Sequence, residues 1–399
     1  MKQIIIIGGG PAGLMAADKL SLTYNVNLYD KEKNIGQKFL VAGKGGFNLT
    51  NSVTVDELIS KYSPDGFMNN AITNFDNTIF RQWLFEIGVP TYVGSSGRVF
   101  PEKGMMPIDV LNKIKTKLTQ QGVRFHTQYQ FVDFDNAKHV VLKHNGEKIV
   151  MKADYILFAL GGASWPVTGS NGLWRTIFES MGIATNPFQA SNCGVTIGWS
   201  ETFKQNHAGK PLKNCKLFTN TCAMTGEAMI TNSGMEGNAL YALVPSIRTM
   251  LNAVMPACLY VDFKPMNTEE QLLQKVREKN ITTKEYGRIF NLNAMQLSII
   301  KAYSSKERFL SVTGFIGSLK KLEIPIESLR PIDEAISTIG GISLEEVNDD
   351  FSLKKYPWIY TIGEMLDWDA PTGGYLLQGC FSMGYFAAKA ILEKSDSSI

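Results

Sequence analysis

The sequence has few cysteines and few histidines. Its five cysteines, Cys193, Cys215, Cys222, Cys258 and Cys380, form no CxxC pair, which excludes a zinc ribbon and a thioredoxin-like dithiol and offers no disulfide framework. The four histidines, His126, His139, His144 and His207, never fall at metal-ligand spacing, so no metal site is expected. Long apolar runs are missing too. Ile4 to Ile7 is far too short to cross a bilayer, and the apolar stretch from Asn238 to Phe263 is broken by Pro245, Arg248 and Pro256. Glycines follow the first strand directly, where a secretory signal would carry a long apolar core and a cleavage site. A cytoplasmic protein with no membrane partner is expected. Net charge is small, +3 from 40 Lys+Arg against 37 Asp+Glu, although residues 191–330 hold 17 Lys+Arg against 11 Asp+Glu.

What is present is an ordinary globular composition, 44% hydrophobic and 19% charged over 399 residues, enough chain for two or three domains. Residues 2–7 (KQIIII) read as a strand buried on both faces. A helix through Leu14, Ala17 and Leu20 and a second strand from Val26 to Tyr29 complete a βαβ unit. Helices are expected around 76–86 and 107–121. An antiparallel ribbon over 123–158 is expected to end in a buried strand from Tyr155 to Leu160. Segments 193–199, 215–224 and 257–263 read as short strands. From Asn267 the pattern turns helical, with Thr268 and Gln271 as a capping box and further helices at 284–290, 294–303 and 306–321. Trp358 to Ile362 reads as another buried strand, and Gly384 to Leu392 as part of a C-terminal helix.

Gly8-Gly9-Gly10-Pro11-Ala12-Gly13 satisfies GxGxxG between that first strand and helix. In this motif Gly8 allows the tight turn, Gly10 lets backbone approach a pyrophosphate, and Gly13 lets helix and strand pack closely. The phosphates then meet a helix N-terminus. Asp30 ends the second strand, placed for both ribose hydroxyls; its charge would repel a 2′-phosphate, which leaves FAD or NAD. The chain then returns at its far end with a buried strand and Gly363-Glu364, followed by Pro371-Thr372-Gly373-Gly374-Tyr375 and a helix. A carboxylate delivered to a ribityl chain and a helix N-terminus aimed at a flavin pyrimidine edge favour FAD. Gly43, Gly45, Gly46, Gly161, Gly162, Gly340 and Gly341 are candidates for close backbone approaches to a flavin.

Five blocks together resemble the BaiN/RdsA-like (YhiN-type) NAD(P)/FAD-dependent oxidoreductase family: Gly8–Gly13, Gly36-Gln37-Lys38 through Asn48-Leu49-Thr50-Asn51, Gly97-Arg98-Val99-Phe100-Pro101, 153–172 and 335–384. The resemblance covers nearly the whole chain. It implies an α/β fold: a Rossmann-like FAD-binding domain of the glutathione-reductase type built from both chain ends (1–190 and 331–399), an inserted β-barrel-like domain (191–265) and a helical subdomain (266–330). Carried over by position, Gly8, Gly10, Pro11, Ala12 and Gly13 would hold the pyrophosphate, and Asp30 with Lys31 the adenosine ribose. Phe131 would pack its backbone on adenine. Lys38, Gly43 and Asn48 would line the FAD path, and Gly161-Gly162 would pass beneath it. Gly363-Glu364 would meet the ribityl chain, and Gly373, Gly374, Tyr375 and Leu376 would face the pyrimidine end. The chain departs from the common GGGRCNLTN pattern at Gly46 and Phe47, from Tyr at Trp165 and from Asn at Leu376, as in a less-characterised branch.

The chemistry such a site implies is hydride transfer at flavin N5 to an activated C=C bond of a ring substrate, with NAD(P)H as a transient electron donor. The absence of a second GxGxxG, of CxxxxC and of a histidine near residues 38–48 argues for non-covalent FAD without disulfide chemistry. No residue stands out as proton donor; Tyr375 and Glu364 also have structural explanations. His207 reads as a surface histidine. The alternative is an enzyme acting on RNA, or a flavoprotein binding it. There Lys275, Arg277, Lys279, Lys284, Arg288, Lys301, Lys306 and Arg308 would face phosphates, and Tyr286, Phe290 and Tyr303 would stack on bases. Against it, charges every three or four residues on helices are normally a solvated face, with those aromatics in the core.

Overall fold

The computed structural model describes residues 2–41, 46–135, 137–253, 255–277 and 281–396. Two compact units divide the chain: Met1–Ala190 with Ile332–Ile399, and Ser191–Pro331.

The first unit is bipartite and built on a parallel sheet. Its strands are β1 (Gln3–Ile7), β2 (Asn25–Asp30), β3 (Arg124–Thr127), β4 (Tyr155–Phe158) and β5 (Ile359–Thr361), in the spatial order β5-β4-β1-β2-β3. Ile4 to Ile7 are buried because β1 is flanked on both sides, opposite Tyr155–Phe158 and Val26–Tyr29. Two helices matter for the site, α1 (Pro11–Leu20) and the long C-terminal α2 (Tyr375–Asp396). They pack so closely that a Cβ on Gly384 would stand 2.2 Å from the carbonyl oxygen of Ala12. Arg124–Thr127 corrects the expectation of a ribbon starting at 123. These residues pair in parallel with Asn27–Asp30, and the antiparallel ribbon begins only at Gln130. A second small antiparallel sheet joins Thr50–Asn51, Arg98–Pro101 and Thr91–Val93.

The second unit carries a seven-stranded sheet. Its order runs Leu322–Ile326, Ala257–Asp262, Pro211–Phe218, Ala223–Ile230, Gly234–Glu236, Val195–Thr196, Ser328–Leu329. The two edge strands, Leu322–Ile326 and Ser328–Leu329, are separated only by Glu327, so the sheet must roll until its edges nearly meet. The result is a nearly closed antiparallel barrel. Segment 215–224, read as one strand, instead spans the end of Pro211–Phe218, the turn over 219–222 and the start of Ala223–Ile230. The expected helix 306–321 breaks at Ser311, which caps Val312–Lys320 through a bond from the Gly314 N–H. The capping box at Thr268 and Gln271 is formed in both directions.

One reading of a side chain in this unit is corrected, and one alternative loses its stacking residues. His207 is not on the surface: it is 9% exposed, packed on Phe203, with Nε2 3.3 Å from Ser298 Oγ. Tyr286 and Phe290 are not available to stack on bases, because both belong to the core around Phe315. Tyr303 is half-buried, against Trp199. Lys275, Arg277, Lys284, Arg288, Lys301, Lys306 and Arg308 are exposed, and Lys279 lies outside the described residues.

Candidate active site: a cleft at the ends of the parallel strands

The glycines after β1 do different physical work. Gly8 has φ +112°, and a Cβ there would stand 2.1 Å from the Ala159 carbonyl oxygen. A Cβ on Gly13 would stand 2.0 Å from the Gly8 carbonyl oxygen, so both positions are set by backbone packing. Gly10 is unlike them. Its added Cβ would meet nothing within 4 Å, and as N-cap of α1 it offers no side chain to the first helical amides. With Pro11 opening the helix, the turn leaves uncapped N–H groups and the positive end of α1 toward open space.

Asp30 stands beside this turn. Its Oδ2 accepts the Gly9 N–H at 2.8 Å and its Oδ1 the Glu32 N–H at 2.9 Å. Burial pushes the carboxyl above its ordinary range, against the pull of those two amides. Burial likewise pushes the Lys31 ammonium down. Phe131 turns its ring into the packing of Phe134, Phe158 and Phe178, which leaves the backbone of Gln130 and Phe131 on the cleft wall.

At the other end, four chain segments converge on Glu364. Its Oε2 takes a 2.6 Å bond from Lys38 Nζ, and its Oε1 accepts the Thr338 N–H at 3.1 Å. Lys38 also reaches Ser164 Oγ at 2.7 Å. Cys380 of α2 lies beside them on the cleft wall, its thiol pushed up to about 12 by burial.

The cleft between these ends holds about 1170 Å³ of empty space, counted out to solvent. Of the residues expected at a cofactor it gathers Gly8, Gly10, Pro11, Ala12, Asp30, Lys31, Lys38, Phe131, Gly161, Gly363 and Glu364. Gly13 lies behind the wall. Gly162 sits under Thr338 and Glu364, where a Cβ would stand 2.2 Å from Thr338 Oγ1. Gly373, Gly374, Tyr375 and Leu376 are not on the cleft wall; they form the start of α2, pressed on Thr50–Asn51. Tyr375 is buried, and its main-chain oxygen accepts from Tyr62 Oη at 2.8 Å. Asn48 has a buried Nδ2 with no partner among the described residues. Gly43 and Gly45 lie outside the described residues.

The sequence reading missed Glu32, Tyr129, Gln130, Ser164, Thr338 and the wall segment from Thr168 to Trp174. Within that segment Gly169 and Gly172 take positive φ, and Trp174 Nε1 bonds the Gly161 carbonyl oxygen at 3.0 Å. Only the glycine spacing of 161–172 hinted at it. Among the described residues no group of three or more His, Cys, Asp or Glu is gathered as a metal site would need, and no helix is long and apolar enough to cross a membrane.

Known proteins resemble this chain along its full length. It is 25% identical to a 3-dehydro-bile acid delta(4,6)-reductase of Clostridium scindens, over 99% of this chain and 100% of that protein. It is also 25% identical to a ribosomal RNA dihydrouridine synthase of Haemophilus influenzae, over 97% of this chain and 98% of that protein. Among solved structures, a 3-ketosteroid-delta4-(5alpha)-dehydrogenase of Rhodococcus jostii shares the fold at 13% identity, with TM-score 0.51 and coverage of 97% of each chain. The family profile described as HI0933-like protein Rossmann domain matches residues 2–390. The chain belongs to this HI0933-like Rossmann-domain family and is an FAD-dependent oxidoreductase.

Proposed function

We propose that the protein reduces an activated C=C bond of a ring-shaped small molecule, with non-covalent FAD as its cofactor and NAD(P)H as electron donor, in the cytoplasm. In this reading residues 1–190 and 331–399 form the FAD-binding domain and 191–330 the insert. The expected boundary at 265 is corrected, because Leu322–Ile326 and Ser328–Leu329 complete the sheet begun in 191–265 and the helical stretch after 265 lies between.

The observation that carries the reading is the open side of the Gly10 turn. It faces a cleft outside the carboxyl ends of β1, β2 and β4, where parallel α/β sheets bind nucleotides. A dinucleotide suits the residues around it. Gly8, Gly10, Pro11, Ala12 and Gly13 would hold its pyrophosphate, and Asp30, with Lys31 beside it, would accept from the ribose hydroxyls. The backbone at Phe131 would border adenine. Lys38, Gly161, Gly162, Gly363 and Glu364 would guide the other half toward Gly373, Gly374, Tyr375 and Leu376. The unpartnered amide of Asn48 and the neighbouring Gly43 would complete the set. Bound there, FAD supplies hydride transfer at N5. The chain's own contribution is to orient the cofactor, exclude water from the cleft and set the positive end of α2 toward the pyrimidine edge.

The ring-substrate reading is supported by the bile acid reductase, which matches over 99% of this chain. An anaerobic visible spectrum of the purified protein, before and after NADH or NADPH, tests the reading. Bleaching of a bound-flavin band supports it, and an enone acceptor should then restore the band. A flavin band that neither nucleotide bleaches, with no nucleotide consumed when enones are added, overturns the donor assignment. No flavin band after reconstitution with FAD overturns the cofactor.

A second reading is an RNA substrate. It is favoured by the exposed basic set Lys275, Arg277, Lys284, Arg288, Lys301, Lys306 and Arg308, and by the ribosomal RNA enzyme among the relatives. With Tyr286 and Phe290 in the core, recognition would rest on phosphate contacts.

A further inference from the structure

We infer that Lys38 is a positioning residue. It orients the Glu364 carboxylate for the ribityl hydroxyls, and its guidance of the cofactor runs through Glu364. The inference rests on the FAD reading above.

Glu364 sits on a single turn, Gly363–Met365, which leaves a long side chain with several rotamers to lose. Something outside that turn has to select one. Lys38 does so from the short helix Gln37–Val41, 326 residues away in the chain, through a 2.6 Å charge-assisted bond to Oε2. Lys38 is itself fixed by Ser164, a fully buried residue whose Oγ accepts from Nζ at 2.7 Å and donates to the Ile336 carbonyl oxygen at 3.4 Å. On the other side the Thr338 N–H holds Oε1, and Thr338 Oγ1 accepts the Ala163 N–H at 3.2 Å. Gly162 leaves the room for this knot, since its Cβ would stand 3.2 Å from Glu364 Cδ.

The valences then balance in a particular way. Each Glu364 oxygen spends one acceptor position on the protein and keeps another for a hydroxyl. Lys38 spends two of its N–H groups on Glu364 and Ser164. Its positive charge also compensates a half-buried carboxylate that would otherwise oppose an anionic cofactor. Remove Lys38 and Glu364 keeps only the Thr338 amide, with its rotamer free.

The test is a double-mutant cycle on FAD affinity, read by quenching of flavin fluorescence when apo-protein is titrated at one salt concentration. Lys38→Met and Glu364→Gln are each expected to weaken FAD about tenfold. The double variant should be no weaker than Glu364→Gln alone, because Lys38 acts through Glu364. Lys38→Arg should recover most of the loss. Losses that multiply in the double variant, or an unchanged affinity in Lys38→Met, overturn the inference. Should Lys38→Met fail to fold, Ser164→Ala takes its place: it should weaken FAD about threefold in the wild-type background and not at all beside Glu364→Gln. A Ser164→Ala effect that persists beside Glu364→Gln overturns the inference. A wild-type chain that takes up no FAD is a different result, which removes the cofactor reading itself and the inference with it.

Discussion

The same residue type does opposite work within one turn, and substitution separates the two uses. A methyl group at Gly13 would collide with the Gly8 carbonyl oxygen at 2.0 Å, so Gly13→Ala should lower unfolding stability by about 3 kcal/mol in a denaturant titration. At Gly10 the methyl group meets nothing, and the residue is an extended N-cap with φ −82° that any side chain adopts. Gly10→Ala should therefore cost less than about 1 kcal/mol of stability while weakening FAD at least tenfold. If Gly10→Ala leaves FAD affinity unchanged, the pyrophosphate lies elsewhere. Asp30 is a harder case, because its carboxylate also holds the amides of Gly9 and Glu32. Asp30→Ala should lose FAD about tenfold and also lower the melting temperature by a few degrees. FAD fully retained by that variant would show the adenosine ribose misplaced. Reading Asp30 from sequence gave its position but not this second duty, since hydrogen bonds to backbone amides leave no trace in residue type.

Single elements were legible where their own residues decide them. The βαβ start, the helix Ala294–Tyr303 and the Thr268 capping box need only local periodicity and caps, and all three stand in the structure. Elements decided by partners were not. Arg124–Thr127 looks like the first strand of a ribbon, yet becomes a parallel edge strand because β2 offers it an open side. The start of α2 has a similar lesson. Gly374 takes a packing role there, with the Thr50 backbone 2.6 Å from where its Cβ would be. The helix Glu201–His207 hides a titratable group at its end. Burial, with Lys210 nearby, pushes the His207 imidazole below its usual 6.5, and Nδ1 has no partner among the described residues. The folded chain thus refuses a proton that the unfolded chain accepts, so the unfolded state binds more protons and stability falls as pH drops below about 6.5. A plot of melting temperature against pH from about 7 down to about 5 should slope downward in the wild type and flatten in His207→Gln. Equal slopes would show that His207 is solvated when folded.

At the scale of the whole molecule, the chain builds one unit from its two ends and closes a barrel within its middle. The charge division follows the same boundary, with an excess of 17 basic over 11 acidic residues in 191–330. If that face meets RNA, retention on immobilised ribosomal RNA should fall steeply with salt and vanish in Lys284→Glu with Arg288→Glu. No retention of the wild type at low salt would leave the ring-compound reading alone. Both outcomes leave the candidate cleft untouched, because its residues all belong to the bipartite unit.

The sequence by itself determined the strand–turn–helix of the nucleotide motif, the acid at the end of β2 and the family. The first two depend on residues close together in the chain, where periodicity and turn chemistry act directly, and the family on the order and spacing of five blocks along it. Tertiary structure alone decided the meeting of Lys38 with Glu364, the service of Ser164 and Thr338, and the burial of His207. It also decided the closing of a sheet whose edge strands are separated only by Glu327. Those outcomes depend on which distant segments share a wall. That choice is made by packing and by the need of buried polar groups for partners, and no local pattern encodes it.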